Sequence, residues 1–277
     1  MPRAYSIEVL LCCQAIDYFF RNLSKFFKIM IYANVTSPMI QSDRLAPAGK
    51  NIPQIRLFLD TADTTSWQTW LPTGLFYGVT TNPLLLERAR LTCSVEQLQE
   101  LATQALNLGA KEIQLQTWGT SVDALVNTGQ LLAAIDDRVV VKVPITQVGT
   151  EAASQLIHRD IRVTLTGVYA VHQVLIAAAL GADYAAPYLG RINDLGRNGR
   201  DEIVTMQQAI AGVSSATRIL VASIRSVDDI TFLAMQGLDT FTFSSAIATA
   251  FFNVTATNQA AADFEKAACL GGMRDEG

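Results

Sequence analysis

Histidine is nearly missing from this chain. His158 and His172 are the only two in 277 residues, and they stand far from the four cysteines, Cys12, Cys13, Cys93 and Cys269. No CxxC and no mixed Cys/His cluster occurs, so zinc chemistry is disfavoured and no metal is expected. Cysteines this few and this scattered read as free thiols of a reducing compartment, and the expected location is the cytoplasm. A basic excess is also lacking: the formal net charge is −4, which argues against a nucleic-acid partner. Nor is there an uncharged apolar run of the roughly 18 residues that a spanning helix needs, so stable membrane insertion is not expected. The longest candidate, "EVLLCCQAIDYFFRNLSKFFKIMIY" at 8–32, is interrupted by Asp17, Arg21, Lys25 and Lys28. It also lacks the order of charged region, apolar core and cleavage site that marks a signal peptide.

Residues 1–54 therefore read as an N-terminal extension that ends in a linker, "SDRLAPAGKNIPQ" (42–54), rich in Pro, Gly and polar residues. Two accounts of it stay open. It is an amphipathic segment for a membrane surface or partner, or a leader ahead of a true start at Met30 or Met39.

From Ile55 onward the pattern turns regular, and 55–277 reads as one domain. Eight short runs rich in β-branched residues read as strands: 55–60, 77–82, 112–118, 139–144, 162–168, 184–189, 218–224 and 240–244. Amphipathic stretches alternate with them. "SVEQLQELATQALNLG" (94–109) carries Val95, Leu98, Leu101, Ala102 and Ala105 at helical spacing, and "SVDALVNTGQLLAAI" (121–135) follows the same rule. Gly109 and Gly181 stand where a helix would be closed by a glycine. Eight strand–helix units suggest a closed (β/α)₈ TIM barrel, with an open doubly wound sheet as the alternative. The glycine-rich phosphate loop of the open fold is absent after the first strand, since "FLDTADTT" has no glycine, and this favours the barrel.

In such a barrel the chemistry sits at the C-terminal ends of the strands. Those ends carry Asp60, Thr80 and Asn82, Gln116, Lys142, Thr166, Tyr188 and Arg191, and then Ser223 and Arg225. Lys142 is the anomaly, an ammonium placed inside "VVVKVP" (139–144). Burial lowers a lysine's pKa, and the neutral amine forms a Schiff base with a ketone or aldehyde. Asp60 is a candidate proton relay, although a plain ion pair between Lys142 and Asp60 is the competing account. Thr166, Gln116 and Tyr188 are suited to hold a water that acts as acid and base. Arg191, Ser223 and Arg225 suit a phosphate, which arginine binds bidentately. His158 and His172 fall in helix patterns and receive no role. Trp67, Trp70 and Trp118 read as packing, with Trp118 near a strand end.

"FLDTA", "GVTTNP", "VVVKVP", "APYLGRINDLG" and "VASIR" occur in an order that resembles the small transaldolase family, which includes fructose-6-phosphate aldolase. The resemblance runs from Ile55 nearly to the end, roughly four fifths of the chain. It implies a metal-free, cofactor-free barrel with Lys142 as the Schiff-base lysine and Asp60 beside it. It also implies Thr80 and Asn82 on substrate hydroxyls, and Arg191, Ser223 and Arg225 on a sugar phosphate. True transaldolases are similar but usually carry Glu and Phe at the positions of Gln116 and Tyr188. Gln116, Thr166 and Tyr188 together resemble the aldolase branch, where they orient the catalytic water. The expected reaction is thus a class I aldolase cleavage of fructose 6-phosphate to dihydroxyacetone and glyceraldehyde 3-phosphate. A transaldolase transfer is the first alternative, and a non-catalytic phosphosugar-binding barrel is the alternative from another class. The terminal "NQAAADFEKAACLGG" (258–272) resembles the family's oligomerisation helix, which implies a homo-oligomer, a pentamer or a decamer.

Overall fold

A computed structural model describes residues 55–272, with side chains to residue 269. The expectations for residues 1–54 lie outside the described residues.

The eight strands are β1 (Arg56–Asp60), β2 (Gly78–Thr80), β3 (Glu112–Gln116), β4 (Val139–Pro144), β5 (Val163–Val168), β6 (Tyr184–Pro187), β7 (Arg218–Val221) and β8 (Thr240–Phe243). Each pairs in parallel with the next, and β8 closes on β1, so the sheet is a barrel and not an open doubly wound sheet. Around it lie α1 (Thr64–Trp70), α2 (Pro83–Arg88), α3 (Val95–Asn107), α4 (Val122–Ala133), α5 (Gln147–Ile157), α6 (Gln173–Leu180), α7 (Leu189–Asp194), α8 (Gly199–Gly212), α9 (Val227–Met235), α10 (Ser245–Phe252) and α11 (Thr255–Gly272). The chain is the (β/α)₈ barrel that its alternating pattern predicts.

Local chemistry explains the helix boundaries. Ser94 and Ser121 cap α3 and α4 by accepting from the backbone N–H of Gln97 and Ala124. Leu98, Leu101, Ala102 and Ala105 form the buried stripe of α3. Gly181 closes α6 in the left-handed conformation, φ 73°, which a Cβ would disfavour.

Two apolar layers result. The outer one joins strand faces to helices and contains most of the buried residues, such as Leu59, Val79, Ile113, Leu115, Val141 and Val143. The inner one is small: Phe58, Val140, Tyr184, Ala186 and Leu220, with Tyr77 against it. Because strand side chains alternate, Val140 and Lys142 share the inward face of β4, with the lysine nearer the C-terminal mouth.

Four strands end two or more residues short of their sequence pattern, and β3 is one of them, stopping at Gln116. β2 stops at Thr80 because Asn82 turns the chain and caps α2, its side chain accepting from Leu84 and Leu85 N–H at 3.0 and 3.1 Å. β6 stops at Pro187, and Tyr188 begins the turn into α7. β7 stops at Val221, after which one bridge joins Tyr188 to Ala222.

Candidate active site

The C-terminal mouth of the barrel opens into a cavity of about 660 Å³. Its wall includes Asp60, Asn82, Lys142, Tyr188, Arg191, Ser223 and Arg225, so seven of the ten expected site residues meet there. Lys142 is 4% exposed and borders this cavity. Burial holds its pKa below the ordinary lysine range, and the negative charge of Asp60 opposes that effect. Among the described residues no hydrogen bond or ion pair reaches the Lys142 amine, so the simple Lys142–Asp60 pair is not formed. Asp60 instead accepts at Oδ1 from the Thr80 hydroxyl at 2.7 Å.

Thr80 has a different place from the one its motif suggests. It is wholly buried, is not part of the cavity wall, and its hydroxyl lies 2.5 Å from that of Thr242. The side chain thus braces the Asp60 carboxylate and is not presented to a ligand. Asn82 borders the cavity, but its carbonyl oxygen is engaged in capping α2.

Gln116 and Thr166 also stand outside the wall, yet each is tied to a residue that is in it. Gln116 is the register partner of Lys142 across β3 and β4. The Thr166 hydroxyl lies 2.8 Å from that of Tyr188. A bulge between Thr166 and Val168, with Gly167 at φ 77°, bends β5 at this point. Burial raises the Tyr188 pKa, so this phenol stays protonated at neutral pH and serves as a hydrogen-bond donor.

At the other side of the mouth the start of α7 is tied to the end of β7. Leu189 and Gly190 donate their N–H groups to the carbonyls of Ala222 and Ser223, both at 2.9 Å. Ser223 is held in the left-handed region, φ 58°, uncommon for a residue with a Cβ. Arg225 forks onto Asp194 at 2.7 and 2.5 Å, and Arg191 lies 5.0 Å from the Tyr188 ring centroid. Two guanidiniums and a hydroxyl therefore border the same cavity as a buried amine of lowered pKa. A cavity so equipped can hold an anionic group at one end while the amine condenses with a carbonyl at the other.

Sequence reasoning missed Asp194, Gly190 and Tyr169. Asp194 and Gly190 lie within the quoted "APYLGRINDLG", but their role depends on where Arg225 returns to in space. Tyr169 directly follows β5 and carries no local signal.

The site and fold define a barrel enzyme of the Schiff-base type. A family profile described as "Transaldolase/Fructose-6-phosphate aldolase" matches residues 57–276. A "Probable transaldolase" of Maricaulis maris (strain MCS10) is 33% identical over 188 residues, covering 68% of this chain and 84% of that protein. Proteins of the same description from Jannaschia sp. (strain CCS1) and Caulobacter vibrioides (strain NA1000 / CB15N) are each 31% identical, over 205 and 212 residues. These cover 74% and 76% of this chain, and 92% and 95% of their own lengths. The chain belongs to the transaldolase/fructose-6-phosphate aldolase family and is an enzyme of the aldolase/transaldolase kind, with sugar phosphates as the family's substrates. Among the described residues no helix is long and apolar enough to cross a membrane.

Proposed function

We propose that this protein is a class I aldolase that cleaves fructose 6-phosphate reversibly to dihydroxyacetone and glyceraldehyde 3-phosphate. The observation that carries the reading is the contact of the Thr166 and Tyr188 hydroxyls, 2.8 Å apart, with Gln116 in register beside Lys142. This set is suited to hold one water near the reacting carbons. A glutamate in place of Gln116 would supply an ionisable base, and a phenylalanine in place of Tyr188 would remove the donor.

The neutral Lys142 amine attacks the C2 ketone, giving a carbinolamine. Loss of water leaves a protonated imine. The water between Thr166, Gln116 and Tyr188 takes the proton of the C4 hydroxyl. The C3–C4 bond then breaks, its electron pair moves toward the iminium nitrogen, and glyceraldehyde 3-phosphate departs. The enamine that remains takes a proton at C3, and water hydrolyses the resulting imine to release dihydroxyacetone and the free amine. Asp60, braced by Thr80, relays protons in the carbinolamine steps. Arg191, Ser223 and Arg225 receive the phosphate, with Asn82 at the substrate hydroxyls. No metal or cofactor enters these steps, and the cytoplasm is the proposed location.

A transaldolase is the second reading, favoured by the description of the relatives as probable transaldolases. In that case the enamine attacks an aldose phosphate before it is protonated. Two measurements decide. Borohydride reduction in the presence of fructose 6-phosphate should leave a mass adduct on Lys142, and its absence counts against both readings. Glyceraldehyde 3-phosphate release should proceed without erythrose 4-phosphate, and release only when that acceptor is present would establish transfer. Gln116→Glu combined with Tyr188→Phe should shift the balance toward transfer.

We further propose a homo-oligomer, a pentamer or decamer, assembled through α11. From Thr255 to Cys269 its side chains are exposed almost throughout, with Phe264 73% exposed, and Phe252 and Val254 just before it are also uncovered. Light scattering of the wild type and of Phe264→Asp tests this; a wild-type monomer would reject it.

A further inference from the structure

The cavity has two working ends, an anion end at Arg191 and an acid–base end at Tyr188. One residue touches both. The Tyr169 hydroxyl accepts from Arg191 Nη1 at 3.3 Å. Its ring packs edge-on against Tyr188, with centroids 5.5 Å apart and planes at 70°. Arg191 in turn lies over the Tyr188 ring, closing a triangle of three side chains.

Tyr169 is itself fixed from behind. Its backbone N–H donates to Gln173 Oε1 at 2.8 Å, and its carbonyl accepts from Arg197 Nη1 at 2.7 Å. A half-buried ring held by two backbone contacts is a firm anchor for a long, exposed arginine. An untethered arginine spreads over many rotamers, and each must be given up when an anion binds.

We propose that Tyr169 is a positioning residue that couples phosphate recognition to the acid–base phenol. Its hydroxyl holds Arg191 folded over the mouth, across the Tyr188 face, and its ring seats Tyr188 toward Thr166. A phosphate that engages Arg191 in this pose also presses the cation–π contact onto Tyr188. The phosphate end and the proton-transferring end then tighten together. The inference rests on the aldolase/transaldolase reading above, and it divides the two parts of one side chain between two tasks. The hydroxyl serves phosphate affinity, and the ring serves Tyr188.

The test follows aldol addition of dihydroxyacetone to glyceraldehyde 3-phosphate and to unphosphorylated glyceraldehyde, in the wild type, Tyr169→Phe and Tyr169→Leu. Tyr169→Phe should lose about tenfold in kcat/KM for the phosphorylated aldehyde, the order expected for one long hydrogen bond to a charged group, with most of the loss in KM. With unphosphorylated glyceraldehyde it should match the wild type within about twofold. Tyr169→Leu should lower kcat with both aldehydes. Borohydride trapping with dihydroxyacetone on Lys142 should be equal in all three proteins. Tyr169→Phe that leaves both aldehydes untouched, or reduces both equally, overturns the proposal. If the wild type neither traps nor turns over, the parent reading fails, and this inference fails with it.

Discussion

Gly190→Ala is a demanding test of the anion end, because the structure dictates where the new methyl must go. A Cβ at position 190 would stand 2.5 Å from the Ser223 carbonyl oxygen and 2.6 Å from Arg225 Nε. Neither neighbour is free to move away. The Ser223 carbonyl accepts the Gly190 N–H at 2.9 Å in a backbone already at φ 58°, and the Arg225 head is forked onto Asp194. Relief requires both partners to retreat by roughly half an ångström to one ångström, and such overpacking costs about 1–3 kcal/mol of stability. The same retreat misplaces the hydroxyl and one guanidinium of the proposed phosphate site. Charge-assisted hydrogen bonds are worth about 1.5–3 kcal/mol each, so losing one predicts a fall of roughly ten- to a hundredfold in kcat/KM for phosphorylated substrates. Dihydroxyacetone with unphosphorylated glyceraldehyde should be nearly unaffected, and so should trapping at Lys142. Steady-state kinetics with both aldehydes, together with a urea midpoint, give the comparison. A folded Gly190→Ala protein with unchanged kcat/KM for glyceraldehyde 3-phosphate would refute the placement of the anion site at the α7–β7 junction.

Asp60→Asn removes the charge that holds the Lys142 pKa up against burial, so the acid limb of borohydride trapping should move to lower pH. Val140→Thr puts a hydroxyl in the apolar layer beneath the lysine and should move that limb the other way; shifts of the same sign in both variants would contradict the account. Lys142→Met should abolish trapping and raise the melting temperature at pH 7. A lysine whose folded pKa lies below its unfolded value of about 10.4 costs stability as pH falls through that interval, so the gain should vanish as pH approaches 10.4. Arg162→Ala leaves the buried Glu112 without the guanidinium 2.7 Å away and should cost about 3 kcal/mol by urea unfolding, while kcat per folded molecule is retained.

Lys142 is legible in the sequence because the other residues of its strand are apolar, so a charged side chain there is an anomaly, and Asp60 is legible because it closes a strand directly after the apolar Leu57, Phe58 and Leu59. Thr80 shows the limit of that logic. Its motif places it at a strand end, but only the closure of β8 on β1 brings Thr242 against it and turns it toward Asp60. The early ends of β6 and β7 have the same origin. "YAAPYL" and "RILVASI" are good strand sequences, and Tyr188 and Ala222 still form one bridge, but beyond it Leu189 and Gly190 turn into α7 while donating to the carbonyls of Ala222 and Ser223. Tyr169 had no signal to offer, since its ring contact lies 19 positions along the chain and its hydroxyl partner 22.

The opposite end of the barrel bears on the lysine as well. Strand β3 carries Glu112, Gln114 and Gln116 at alternate positions, so one polar column runs the length of the interior. At the lower end Glu112 accepts from Arg162 and from the Tyr184 hydroxyl, and Arg56 donates to that same hydroxyl. Gln114 donates to Glu112 at 3.0 Å and accepts from Thr164 at 2.9 Å. The interior is thus polar at both ends, and between them Phe58, Val140, Ala186 and Leu220 form an apolar cluster beside the β3 column. That cluster is what makes the mouth a site. It places an apolar floor under Lys142, and the valines flanking the lysine on β4 face the helices. Lys142 borders the cavity and is otherwise buried. The desolvation that lowers the Lys142 pKa is therefore a property of the assembled barrel interior and not of the lysine's own strand alone.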